Sequence, residues 1–316
     1  MSESKGSLQV KYRPKTLKGF YGNESIKESL SACLARIDKP TTFLFTGPSG
    51  TGKTTLGRIV GNELQIDPLN VSVYNAASTR GIDTIREAID KAQNEPMLGG
   101  KTRLFIFEEC HGLTGAALEA LLDFMEHPPT NVFIVLTTTE PSALKPTIKR
   151  RCHQYEVKPL SEGSMTKLIE KISEKEKISL NPKVLEAILN VSEGSAGQAL
   201  KLLDMVSGVK KVENALEIIQ SIFGDTATGF EIAQVLCSGK LSSADKWKKC
   251  KGLLEIIKGE PESNRRIIQG YFNSVLLKRP YDEQTAVIAE RASNFTSHYF
   301  ESGKLGLTLS IFLACG

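Results

Sequence analysis

Thr42-Phe-Leu-Phe-Thr46, running into Gly47-Pro-Ser-Gly-Thr-Gly-Lys-Thr54 and Thr55, is the stretch from which the rest of the chain can be read. The first five residues form a short, mostly apolar run that suits a strand, and Gly47 and Pro48 end it. Leu56 to Leu64 then carries helical spacing. The pattern in between is G-x-x-x-x-G-K-[ST], a glycine-rich loop with a strand before it and a helix after it. Such a loop turns backbone N–H groups inward around phosphate oxygens, and the positive end of the following helix points at the same anion. The backbone of Gly50, Thr51 and Gly52 forms the cradle. Lys53 reaches the β and γ phosphates of a nucleoside triphosphate, and the Thr54 hydroxyl ligates Mg²⁺ with Thr55 beside it.

Working outward, the first half alternates strand-like and helix-like patterns. Val71-Ser-Val-Tyr74, Leu104-Phe-Ile-Phe107 and Val132-Phe-Ile-Val-Leu136 read as strands, and Gly81 to Gln93 as a helix with Ile82, Ile85, Ala88 and Ile89 on one face. Continuous apolar runs suit strands buried on both faces of a parallel sheet, so the order implies an α/β sheet covered by helices. After Pro159 the patterns are helical: 161–179, 182–192 and Gln198 to Met205. From Asp225 to Gly316 they are helical again, with breaks at Gly239, Gly259-Glu-Pro261 and Arg279-Pro280. The expected division is an α/β domain over 1–160, a small helical domain over 161–224 and an all-α domain over 225–316.

The 316 residues include 40 Lys and Arg against 36 Asp and Glu, a net charge of +4, so any nucleic-acid contact must come from a local patch. At 40% hydrophobic and 24% charged, the chain can bury a core. Six scattered cysteines contain no C-x-x-C pair, which argues against a zinc cluster or a disulfide scaffold and fits a reducing compartment. Met1 to Val10 lacks an apolar signal core, and no apolar run approaches the ~18 residues needed to span a bilayer. These features argue against secretion and membrane insertion.

Further chemistry gathers at the ends of the later strands. Glu108 and Glu109 follow a buried strand, where a parallel sheet presents its ligand site. Glu108 is the candidate for Mg²⁺, and Glu109 for the base that orients and deprotonates water. As a lone histidine, His111 reads as a hydrogen-bonded structural residue. Thr137, Thr138 and Thr139 close the next strand and offer hydroxyls to a γ-phosphate or to the attacking water. Lys145-Pro-Thr-Ile-Lys-Arg-Arg-Cys152 is a basic cluster that reads as a solvated surface, a nucleic-acid patch or an arginine finger acting on a neighbouring subunit.

In order, Lys11-Tyr-Arg-Pro14, the phosphate loop, Asn75-Ala-Ala-Ser-Thr-Arg-Gly-Ile-Asp83, Glu108-Glu-Cys-His111, Glu126-His-Pro-Pro129, Thr137-Thr-Thr-Glu-Pro141, Ile148-Lys-Arg-Arg-Cys152 and Gly194-Ser-Ala-Gly-Gln-Ala-Leu200 resemble the AAA+ clamp-loader ATPases. These include the replication factor C small subunit, the bacterial DNA polymerase III gamma/tau subunit and their bacteriophage counterparts. The match covers roughly residues 8–205. The resemblance implies a RecA-like domain, a helical lid and a helical collar that joins a five-membered ring. It also implies ATP-driven opening of a sliding clamp, a grip on primer-template DNA, and release of both on hydrolysis. By the same resemblance, Lys11, Tyr12, Arg13 and Tyr21 wall the adenine pocket, Thr139 is the sensor, and Arg151 is the finger. The helices after Arg80 and Thr114, with Arg86, line the DNA channel through phosphate contacts that carry no sequence information.

The chain departs from that family at three points. Glu108 replaces the usual Asp, Arg150 replaces the Ser before the finger, and Gly197 replaces the lid arginine that meets the γ-phosphate. The absent zinc module of the bacterial subunit favours the replication factor C or phage type. Two alternatives stay open: a non-catalytic nucleotide-binding structural subunit, and a different AAA+ DNA machine such as a branch-migration helicase.

Overall fold

The computed structural model describes residues 7–76, 78–94, 102–223, 226–257, 260–297 and 302–316. Ala77, Gly259 and the expected boundary between 224 and 225 lie outside the described residues. The chain forms two compact units, 1–207 and 208–316.

The first unit carries strands β1 Thr42–Thr46, β2 Val71–Asn75, β3 Arg103–Glu108, β4 Val132–Thr138 and β5 His153–Glu156. Its helices are α1 Leu8–Lys11, α2 Glu24–Leu34, α3 Lys53–Glu63, α4 Ile82–Gln93, α5 Gly115–Glu126, α6 Pro146–Arg150, α7 Glu162–Glu176, α8 Pro182–Ser192 and α9 Ala196–Val206. The strands form one parallel sheet in the order β2-β3-β4-β1-β5. Thr46 lies opposite Thr138, and Phe107 opposite Leu136, so the carboxyl ends of β1, β3 and β4 share one rim.

Strand alternation explains the continuous apolar runs. Phe43, Phe45, Ile106 and Val135 face α2 and α3, packing with Leu30, Leu56 and Ile59. Leu44, Phe105, Phe107 and Ile134 face the other way, onto Ile85 and Ala88 of α4 and Leu121 and Phe124 of α5. Both faces are covered, so no polar residue interrupts the pattern. Sequence reading missed β5, whose His-Gln-Tyr-Glu has no apolar run. It is an edge strand that earns its geometry by pairing with β1 and by stacking Tyr155 on Phe45, with centroids 5.6 Å apart.

The second unit is helical: α10 Val212–Phe223, α11 Thr226–Cys237, α12 Ser243–Ile256, α13 Pro261–Lys278, α14 Glu283–Ser293 and α15 Gly303–Ala314. Its core gathers Ile232, Leu236, Ile268, Phe272, Ile288, Phe295 and Ile311. Arg265 is buried there against Glu262, with Nη2 2.6 Å from Oε1, and its Nη1 donates to the Phe295 carbonyl. Pairing and full hydrogen bonding are what make a buried guanidinium tolerable. Among the described residues no helix is long and apolar enough to cross a membrane.

Candidate functional site

The site grows from the turn between β1 and α3. Gly47 has φ +137°, and a Cβ there would stand 2.2 Å from the Val157 carbonyl oxygen. Gly50 has φ +75°, and a Cβ there would stand 2.0 Å from Ser195 Oγ. Only glycine fits either position. Lys53 opens α3 and is 6% exposed, with Nζ donating to the carbonyls of Gly47 and Pro48 at 2.9 Å each. Burial pushes its pKa below the usual lysine value, and the nearby Glu109 carboxylate partly offsets this. Thr51 Oγ1 donates to the Pro48 carbonyl at 2.9 Å, tightening the same turn.

A cavity of about 520 Å³ opens over this loop. Gly50, Thr51, Gly52, Lys53, Thr54 and Thr55 floor it, and Glu108 and Glu109 reach it from the end of β3. Tyr12, Arg13 and Tyr21 wall it from the N-terminal segment, and Gly197 from α9. Among the described residues no cluster of three or more His, Cys, Asp or Glu could hold a metal alone. A cation here would therefore take hydroxyl and carboxylate oxygens from Thr54 and Glu108 and the rest from phosphate and water, a donor set that suits Mg²⁺. The cradle, the buried ammonium and this oxygen pair fit a magnesium nucleotide.

Glu109 has a left-handed backbone, φ +50°, uncommon for a non-glycine residue. Its Oε2 accepts from the Thr139 N–H at 3.0 Å and from Thr139 Oγ1 at 2.9 Å. Thr139 thus stands behind the cavity wall and touches the site through Glu109. His111 Nδ1 lies 2.9 Å from Thr138 Oγ1 and 3.4 Å from Glu109 Oε2, so this histidine belongs to the same cluster. Cys110 and Cys152 are pushed up to about 12 by burial, which leaves both thiols protonated and unreactive.

Helix α7 holds the N-terminal segment. The Tyr12 hydroxyl donates to Glu176, and Lys11 Nζ lies 2.8 Å from the same carboxylate. Lys11 does not line the cavity; its ammonium is spent on this pair. Lys175 stands over the Tyr12 ring at 5.8 Å and Lys171 over the Tyr21 ring at 5.6 Å. Leu168 and Ile172 line the cavity with the two tyrosines, so its wall carries aliphatic and aromatic surface. At Gly197, a Cβ would meet Gln9 Nε2 at 2.9 Å, so a carboxamide from α1 occupies the space beside the missing side chain.

Arg151 lies outside this cavity, at the C-terminal end of α6. Its guanidinium donates to the Thr147 carbonyl at 3.0 Å and pairs with Glu126 at the end of α5. Arg150 is exposed beside it. Thr114 caps α5, its Oγ1 accepting from the Ala117 N–H, while its own N–H donates to the Arg80 carbonyl at 3.0 Å. That bond sets the starts of α4 and α5 side by side. Arg86 is exposed on α4 with Asp83 3.5 Å away.

Sequence reading missed Gln9, Arg58, Lys171 and Lys175 among the cavity residues. A signal existed for three of them. Arg58 is one helical turn beyond Thr54, and Lys171 and Lys175 share a helix face at i and i+4. Nothing in the sequence pointed to Gln9.

Residues 68–161 match the family model described as DNA polymerase III, delta subunit. The DNA polymerase III subunit gamma/tau of Mycoplasma genitalium is 30% identical over 258 residues, 74% of this chain and 43% of that protein. The chain therefore spans about two fifths of that relative's length. The replication factor C small subunit of Haloarcula marismortui is 32% identical over 215 residues, 67% of this chain and 66% of that protein. Among solved structures, the Thermotoga maritima RuvB Holliday junction branch migration motor superposes with a TM-score of 0.57 at 20% identity, over 75% of this chain and 85% of that one. At that identity the likeness speaks for the fold alone: a RecA-like AAA+ domain. With the ordered motifs, the parallel sheet and these relatives together, the chain belongs to the AAA+ clamp-loader family.

Proposed function

We propose that this chain is an ATP-hydrolysing subunit of a loader that places a sliding clamp on primer-template DNA. The observation that carries the reading is the convergence of Lys53, Thr54, Glu108 and Glu109 on one cavity, with Thr139 bonded to Glu109. The loop amides and Lys53 bind the triphosphate, and Tyr12 and Tyr21 pack the base. Mg²⁺, when bound, supplies positive charge to the β and γ phosphate oxygens. Thr54 and Glu108 would hold it. Glu109 orients the attacking water and takes its proton as the bond to the γ-phosphorus forms and the bond to the β–γ bridging oxygen breaks. Arg151, standing away from its own cavity, acts on the nucleotide of a neighbouring subunit.

Under this reading 1–160 carries the chemistry, 161–224 the lid and 225–316 the collar that joins the other loader subunits in a five-membered ring. Arg80, Arg86 and the α5 start at Thr114 follow DNA phosphates. The work is done inside the cell, or inside the host if the chain is viral. The test is ATP turnover by the assembled complex with primer-template DNA and a clamp. Glu109→Gln should abolish turnover while ATP binding persists. Unchanged turnover in that variant removes Glu109 as the base.

A further inference from the structure

Ser195 makes two bonds that no catalytic role accounts for. It caps α9, its Oγ accepting from the Gln198 N–H at 3.2 Å. The same Oγ donates to the carbonyl of Gly50 in the phosphate loop at 3.2 Å, across 145 residues of chain. Ser195 is 7% exposed, and its Oγ fills the space a Cβ on Gly50 would need. The helix it caps contributes Ala196, Gly197 and Leu200 to the cavity. Just before it, Gly194 (φ +79°) accepts from the Leu160 N–H at 2.9 Å, which pins the entry to α9.

A trans peptide holds its C=O and N–H on opposite sides, and no described peptide in this chain is cis. A donor on the Gly50 carbonyl therefore fixes which way the Thr51 N–H points: away from Ser195. We propose that Ser195 is a positioning residue that couples the phosphate loop to the lid. It holds the 50–51 peptide with its N–H turned to the bound phosphate, and it holds α9 against the loop that phosphate orders. Gly197 offers no side chain to a phosphate, so this bond carries the coupling. The inference rests on the nucleotide reading above. Coupling of this kind is reciprocal: phosphate binding steadies α9, and docked α9 raises phosphate affinity.

The test uses the full chain, a slowly hydrolysed ATP analogue with Mg²⁺, and hydrogen exchange of the α9 amides. Ser195→Gly removes the hydroxyl yet leaves a nearly equal helix cap. Ser195→Thr keeps both the donor and the cap. In the wild type the analogue should slow exchange in α9. Ser195→Gly should weaken analogue binding about five-fold, as loss of one neutral hydrogen bond implies, and should abolish the added protection. Ser195→Thr should restore both. Wild-type affinity and protection in Ser195→Gly would overturn the coupling, and so would a folded Ser195→Thr that behaves like Ser195→Gly. A wild-type chain that binds no analogue overturns the nucleotide reading itself, a different result from a wild type that binds and a Ser195→Gly that matches it.

Discussion

Glu109 and Thr139, 30 residues apart in sequence, meet through two hydrogen bonds on one carboxylate oxygen, from the Thr139 N–H at 3.0 Å and its hydroxyl at 2.9 Å. The hydroxyl has one proton to give. While it serves Glu109 it serves no phosphate or water, so Thr139 bears on the site through that carboxylate. Thr139→Val keeps the side-chain shape and the N–H bond but deletes that donor. Single-turnover assays should show hydrolysis slowed about 10²-fold with nucleotide affinity retained. An equal loss of affinity would show that Thr139 only supports the pocket.

Arg151 is held by Thr147 and Glu126 on the outside of its own subunit's site. Arg151→Ala should leave ATP binding intact and cut hydrolysis in the assembled complex by about 10³-fold or more. Mixing it with a Glu109→Gln subunit tests whether the arginine acts across the interface. Full activity in Arg151→Ala with loss in Arg150→Ala would move the role to Arg150.

Glu176 ties α1 to α7, and its carboxyl is held below its ordinary value of 4.5 by hydrogen bonds first from Lys11 and then from Tyr12. The folded state therefore favours the ionised form. Its contribution is complete above the ordinary value and disappears as pH falls through the lowered one. The difference in thermal midpoint between wild type and Glu176→Gln should be constant above about pH 6 and should narrow below the usual carboxylate range. A pH-independent difference would remove the ion pair from the account.

At Gly47, alanine would combine a positive φ with a Cβ 2.2 Å from the Val157 carbonyl. Gly47→Ala should destabilise the first unit by about 2 kcal/mol or more in urea unfolding and abolish nucleotide binding. A neutral result would mean that the loop can rearrange without β5.

On the proposed reading, binding of the assembled complex to primer-template DNA should fall steeply with salt, because the proposed contacts are to phosphates. Arg86→Ala should lower the salt slope by about one without altering sequence preference.

Local features were legible because their causes are short-range. β1, β3 and β4 are apolar on both faces, and the Gly47–Thr55 run needs glycines wherever backbone turns left-handed. The carboxylate pair and the threonine run were likewise identifiable as strand ends. β5 was not, because its four residues become a strand only beside β1. Nor could spacing show that Lys11 would pair with Glu176, that His111 would stand 3.4 Å from Glu109 Oε2, or that Gln9 would fill the gap at Gly197.

By itself the sequence determined the strand-and-helix alternation, the phosphate loop and the polar residues at the strand ends, since these follow from residue periodicity and backbone sterics over a few positions. Only the tertiary structure decided which groups meet: Thr139 on Glu109, Tyr12 on Glu176 and Ser195 on Gly50. Those contacts span from 30 to 164 residues of chain. They arise from parallel crossovers and from the packing of α7 and α9, whose geometry belongs to the packed core and to no local segment.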